Sequence, residues 1–129
     1  MTVSSLLSMA GSDHEPTAID EDHLRRMTLG DRRLEREVLE IFARQTIIML
    51  DRISGAGPAL AAATAHTLMG SARGIGAWRV AQAAERLEQA AIGQSREAEL
   101  DEAVEELKAA TLEAGAAIGA RLGNVLHDY

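Results

Sequence analysis

From Leu100 to Val125 the apolar and small residues step by fours and threes: Leu100, Val104, Leu107, Thr111, Ala114, Ile118, Leu122 and Val125. That period keeps them on one side of an α-helix and would scatter them over both sides of a strand. The stretch is therefore a long amphipathic helix, and its apolar side must be covered by other helices of the same chain. Two further stretches repeat the pattern. Leu34, Val38, Ile41, Phe42, Ile48, Met49 and Ile53 place one face on a helix over 32–53, and Val80, Ala84, Leu87 and Ala91 place one on a helix over 77–92. Only Phe42, Trp78 and Tyr129 are aromatic, whereas 24 of the 129 residues are alanine, so little in the chain favours strands.

Local punctuation divides the helices. Thr17 or Asp20 is placed to cap a short helix carrying Leu24 and Met27, and Gly30 with Asp31 ends it and caps the next. Ser54, Gly55, Ala56 and Gly57 form the clearest break, after which Pro58 suits the first position of a new helix. That helix carries Leu60, His66 and Leu68 until Gly74, Ile75 and Gly76 loosen or kink it, and the turn at 93–95 offers Ser95 as the last cap. The expected fold is all-α, an antiparallel four-helix bundle with a short extra N-terminal helix. Residues 1–16 are expected to be a flexible lead-in and 17–129 the bundle.

Composition excludes several functions. A net charge of −7 with a single lysine, Lys108, argues against nucleic acid as a partner. Without cysteine there is no disulfide, thiolate metal site or thiol nucleophile. No basic leader opens the chain and no apolar run is long enough to span a membrane, so a cytoplasmic protein is expected. His14, His23, His66 and His127 include no pair three or four residues apart, no glutamate and histidine lie three apart as a di-iron bundle needs, and no GxSxG elbow occurs. Gly70, Gly74 and Gly76 follow no strand and fit no phosphate-binding loop.

His66 stands out by geometry. At about 100° per residue it points about 160° away from Leu68 and Thr64, and so towards solvent. Ala62 and Ala63 fall one turn before it on that surface, Met69 and Gly70 one turn after, and Arg73 two turns after. A glycine inside a helix costs about 1 kcal/mol relative to alanine and often marks the close approach of another surface. An imidazole has an ordinary pKa of about 6.5, so an exposed one is mostly neutral at pH 7 and can attack a phosphoryl group. The electrophile and any metal would then come from a partner docking over the collar of Ala62, Ala63 and Gly70. Geometry alone favours an ordinary surface histidine.

The run His66, Thr67, Leu68, Met69, Gly70, Ser71, Ala72, Arg73, Gly74, Ile75, Gly76, Ala77, continuing to Val80, Ala84, Leu87 and Glu88, resembles the signature of histidine-containing phosphotransfer (HPt) domains. The segment 19–53 is similar to the first part of such domains, and 95–129 is similar only as a helix. The resemblance implies a phosphorelay intermediate of two-component signalling. His66 would accept a phosphoryl group from an aspartate of one receiver domain and pass it to another, shuttling between hybrid histidine kinases and response regulators. Gly70 would give the receiver room and Leu68 would be core. The domain would be a phosphocarrier without turnover of its own and would hold no cofactor, the magnesium belonging to the receiver. One position departs: the family usually has lysine where this chain has Met69, and by spacing Arg73, on the same face, is the cation that would reach back in its place.

Two rival readings remain at this level. A helical scaffold would bind receivers without transferring phosphate, and Met69 favours it. A histidine kinase dimerisation domain or phosphatase would need an ATP-binding domain or a carboxylate beside the histidine. Glu85 and Glu88 read most simply as solvated charges, although one of them would orient His66 if the helices pack that way. Trp78 is expected in packing and His23 on the surface. The chain is expected to be a monomer.

Overall fold

The structure, a computed structural model, describes residues 17–127. The expected lead-in at 1–16 lies outside the described residues. Five helices follow one another: α1 (Glu21–Met27), α2 (Arg32–Ser54), α3 (Pro58–Ile75), α4 (Trp78–Ile92) and α5 (Glu97–His127). No strand occurs among the described residues. The chain is all-α, as its periodicity requires.

The helix ends follow from local chemistry. Asp20 accepts a hydrogen bond from the His23 N–H at 3.1 Å, and Asp31 accepts one from Leu34 at 3.1 Å, each satisfying a donor that the first turn leaves unpaired. Pro58 occupies the first turn of α3, where no donor is missed. Gly74 does not loosen α3, which runs unbroken to Ile75 and stops only where Gly76 turns left-handed at φ 84°. Ala77 then donates to the Ala72 carbonyl at 2.9 Å, a closure that needs a residue free to adopt positive φ. At the start of α5 the expected Ser95 cap is replaced. Arg96 holds the cap position, and Glu99 reaches back to its N–H at 3.1 Å.

Loops of three, two and four residues join α2 to α5, so consecutive helices reverse direction. α3 packs most extensively on α4, α4 on α5, and α2 on both α3 and α5, while α1 lies against α3. Leu39, Leu68, Leu87 and Leu107, one from each long helix, are 0 % exposed and form the centre of the core. The face of α2 differs from its sequence reading. Phe42 and Ile53 are buried as expected, but Leu34, Ile41 and Ile48 are exposed and Leu39 takes the core position. α2 carries apolar residues on two sides, and contact with α3 and α5 decides which side is covered.

Two polar contacts fasten α1. Asp20 accepts from Trp78 Nε1–H at 2.8 Å, and its own N–H donates to the Gly76 carbonyl at 2.9 Å, tying the entry to α1 onto the α3–α4 turn. A Cβ on Gly76 would meet the Cβ and carbonyl oxygen of Asp20 at 3.0 Å, a second reason for glycine there. His23 is not a free surface residue: its ring meets Trp78 edge-on at 4.8 Å, and its buried Nε2 has no partner among the described residues. Beyond α1, buried Glu35 accepts from Thr28 at 3.2 Å and from Arg121 at 2.8 Å, linking the α1–α2 corner to α5.

The Trp78 N–H, and after it the His23 N–H, hold the Asp20 carboxyl below its ordinary pKa. The folded carboxylate binds its proton less tightly than the unfolded chain does. Its stabilisation is therefore complete above the unfolded value of about 3.9 and is lost as pH falls through the lower folded value. Asp20→Ala is expected to cost about 1–2 kcal/mol at neutral pH. Asp20→Asn, which keeps an acceptor, is expected to cost less and to flatten the acid limb of stability. Urea unfolding of both variants across the acid range checks this, and an unchanged acid limb in Asp20→Asn would remove Asp20 from the account.

Candidate functional site

α3 meets two demands around its circumference. Ala61, Thr64, Ala65, Leu68, Met69, Ala72 and Ile75 are buried, and this wide arc fixes the helix in the bundle. The remaining arc carries His66, Ala63, Thr67, Gly70 and Arg73, all exposed, with Ala62 half-buried at its edge. His66 thus lies mid-helix on a surface held rigid from behind, with its side chain 65 % exposed.

Its one side-chain polar contact among the described residues comes from the neighbouring helix. The Glu88 carboxylate, on α4, lies 3.0 and 3.1 Å from His66 Nδ1 through its two oxygens, and its side chain is only 22 % exposed. An ionised carboxylate can only accept, so Nδ1 carries the proton. In the neutral ring the lone pair is then on Nε2, which makes no hydrogen bond among the described residues. The arrangement presents a nucleophilic nitrogen to solvent, with its tautomer fixed from behind.

The rest of the surface is plain. Thr67 Oγ1 donates to the Ala63 carbonyl at 3.2 Å, so this hydroxyl is engaged by its own helix. A Cβ on Gly70 would meet nothing within 4 Å. Packing within the domain therefore does not require the glycine, and its effect is to leave open space one turn from His66.

Two expected members of this surface are placed otherwise. Met69 is 8 % exposed and belongs to the core, not to the outer collar. It stands about 60° round the helix from His66, on the same side as buried Ala65 and Ala72, and the packing on α4 reaches that far. Arg73 is exposed, but it faces Glu85 at 3.8 Å rather than His66. That pair is long and open to water, so it restrains Arg73 little. No cation contacts His66 among the described residues. Sequence spacing leaves Glu85 and Glu88 as equal candidates beside His66; the packing brings Glu88 to the imidazole and leaves Glu85 with Arg73.

Among the described residues no group of three or more histidines, aspartates or glutamates is gathered as a metal site, and no helix is long and apolar enough to cross a membrane. No curated protein and no solved structure matches the chain. Among protein families, the Hpt domain matches residues 37–117, a span that holds most of α2, all of α3 and α4, the His66–Glu88 pair and much of α5. With a matched span of well over half its length, this helical chain belongs to the Hpt domain family, the phosphocarrier modules that take part in histidine phosphotransfer with receiver domains of two-component systems.

Proposed function

We propose that His66 is the phosphoryl carrier of this domain, taking the group from a receiver-domain aspartate and passing it to another. The observation that supports this most is the Glu88 carboxylate on Nδ1, which leaves Nε2 free on an exposed ring. The Nε2 lone pair attacks the phosphorus of the aspartyl phosphate. An N–P bond forms, the P–O bond to the aspartyl carboxylate breaks, and the aspartate leaves with the electron pair. The ring is then an imidazolium whose Nδ1–H still donates to the Glu88 carboxylate. Donation reverses these steps, so no proton has to be exchanged with solvent. Magnesium belongs to the receiver on this reading.

A second reading, a scaffold that binds receivers without transfer, draws on Met69 being buried and on the lack of a cation at His66. The deciding experiment is transfer from a phosphorylated receiver to the wild-type chain and to His66→Gln. Acid-labile, base-stable label on the wild type, absent from a variant that still binds receivers, is expected. Receiver binding with no label on the wild type would favour the scaffold.

Substitutions at three further residues test this reading. Glu88→Ala should slow labelling roughly tenfold to a hundredfold, while Glu88→Gln, which still accepts from Nδ1–H but lacks the charge, should fall between; equal rates in all three would remove Glu88 from the mechanism. Gly70→Ala should stabilise the isolated domain by about 0.5–1 kcal/mol in urea unfolding, because the methyl enters open space and favours the helix. Gly70→Leu should weaken receiver binding about tenfold without unfolding the domain. Arg73→Ala should slow transfer or shorten the lifetime of phospho-His66, and if neither changes, Arg73 does not replace the usual lysine.

A further inference from the structure

Basic residues are concentrated on helices that carry neither His66 nor Glu88. Five of the thirteen, Arg25, Arg26, Arg32, Arg33 and Arg36, fall in the twelve residues that form the corner between α1 and α2. A cleft of about 600 Å³ opens there between α1, α2 and α5, none of which carries His66 or Glu88. Its charged lining is Arg25, Arg32, Arg36 and Arg121 against Glu21 and Glu35. Four guanidiniums thus face two carboxylates, in a chain whose net charge is −7.

The pairing inside the cleft is incomplete. Arg121 serves both carboxylates, Glu35 at 2.8 Å and Glu21 at 3.2 Å, and buried Glu35 is further satisfied by Thr28. Arg25 turns to Asp22 at 3.1 Å in an exposed pair worth little. Arg32 and Arg36 have no ion-pair or hydrogen-bond partner among the described residues, and Arg36 is half-buried. They stand one turn apart on α2, so both guanidiniums can reach a single ligand. A half-buried cation without a counter-charge loses hydration and gains nothing in return.

We propose that this cleft binds a small phosphorylated molecule bearing a doubly charged phosphate or a diphosphate. The planar forks of Arg32 and Arg36 would hold the phosphate oxygens, and Arg25 and Arg121 would border them. The excess of two positive charges matches such an anion, and the volume lies within the range of small-molecule sites. A small ligand fits better than a large one. The acidic remainder of the domain repels an extended polyanion such as an anionic membrane or an acidic protein, whereas a compact dianion enters only the positive cleft. The site is independent of the phosphotransfer reading, since it uses no residue near His66.

The test is titration of the full, isotopically labelled chain with inorganic pyrophosphate at low salt, followed by amide chemical shifts. Saturable shifts centred on residues 25–36 and on Arg121, with a Kd of about 1 mM or tighter, are expected. Arg32→Gln combined with Arg36→Gln should raise that Kd at least about tenfold while leaving the His66 ring signals in place. These two side chains have no hydrogen-bond or ion-pair partner among the described residues, so the variant is expected to stay folded, and its far-ultraviolet circular dichroism checks this. Absence of saturable shifts, an unchanged Kd in the double variant, or shifts centred on His66 would each overturn the proposal. So would binding to phosphatidylglycerol vesicles or to a polyglutamate peptide in the absence of pyrophosphate binding, because the arginines would then form a docking surface.

Discussion

The close contact between α3 and α4 is the constraint on which the site depends. Ala65 and Ala72 on α3 and Ala84 on α4 are fully buried, and Ala77 at the turn between the two helices is as well. Small side chains allow helix axes to approach to the short end of their usual range. Across this contact Glu88 on one helix places both carboxylate oxygens against the Nδ1 of His66 on the other. Nδ1 lies near the base of the imidazole, so the carboxylate has to come close to the backbone of α3. The alanine content that first identifies the chain as helical is therefore also what allows this hydrogen bond. The two-residue turn at Gly76 and Ala77 sets the register, and the Asp20 contacts to Trp78 and Gly76 hold that turn from outside.

Much of the fold was legible in the sequence because its signals are local. Asp31, Pro58 and Gly76 act on the backbone within a turn of themselves, and each helix end at these positions follows from side-chain or φ chemistry alone. The stripes on α4 and, from Leu100 to Leu122, on α5 were equally legible, since these residues lie on the core side, while the Val125 side chain lies outside the described residues. α2 was not. Leu34, Ile41 and Ile48 keep a helical period as regular as that of the buried set, and nothing along the chain indicates that Leu39 and Phe42 face the core instead. That choice is made by neighbours distant in sequence. Ser95 is not the cap because α5 begins one residue later, at Glu97, with Arg96 in the cap position and Glu99 bonded to its N–H.

The same division holds at the site. The outward direction of His66 and the open space at Gly70 follow from helical angle and residue size. Met69 lies near the boundary between the two arcs of α3, where about 60° of rotation separates core from solvent and the width of the facing helix decides. Its burial changes the meaning of the missing lysine. A long charged side chain there would have to leave the core side and reach round to the imidazole, whereas methionine fills the core and leaves the face beside His66 without a charge. Arg73 begins two turns away and is loosely paired with Glu85, so any role at the imidazole requires it to exchange one partner for another.

What remains is how charge is balanced during transfer. On the proposed reading, attack by Nε2 gives the ring a positive charge, and the Glu88 carboxylate already stands on the opposite nitrogen to offset it. The phosphoryl oxygens lie on the far side of the ring from that carboxylate, so Glu88 stabilises the imidazolium more strongly than it repels the phosphate. When the group departs, the ring returns to the neutral Nδ1–H tautomer in which it began. On this reading the domain supplies the compensation needed by the nitrogen, and the cation for the phosphoryl oxygens is the receiver's or Arg73 once it leaves Glu85. The small residues Ala62, Ala63 and Gly70 leave the receiver room to approach.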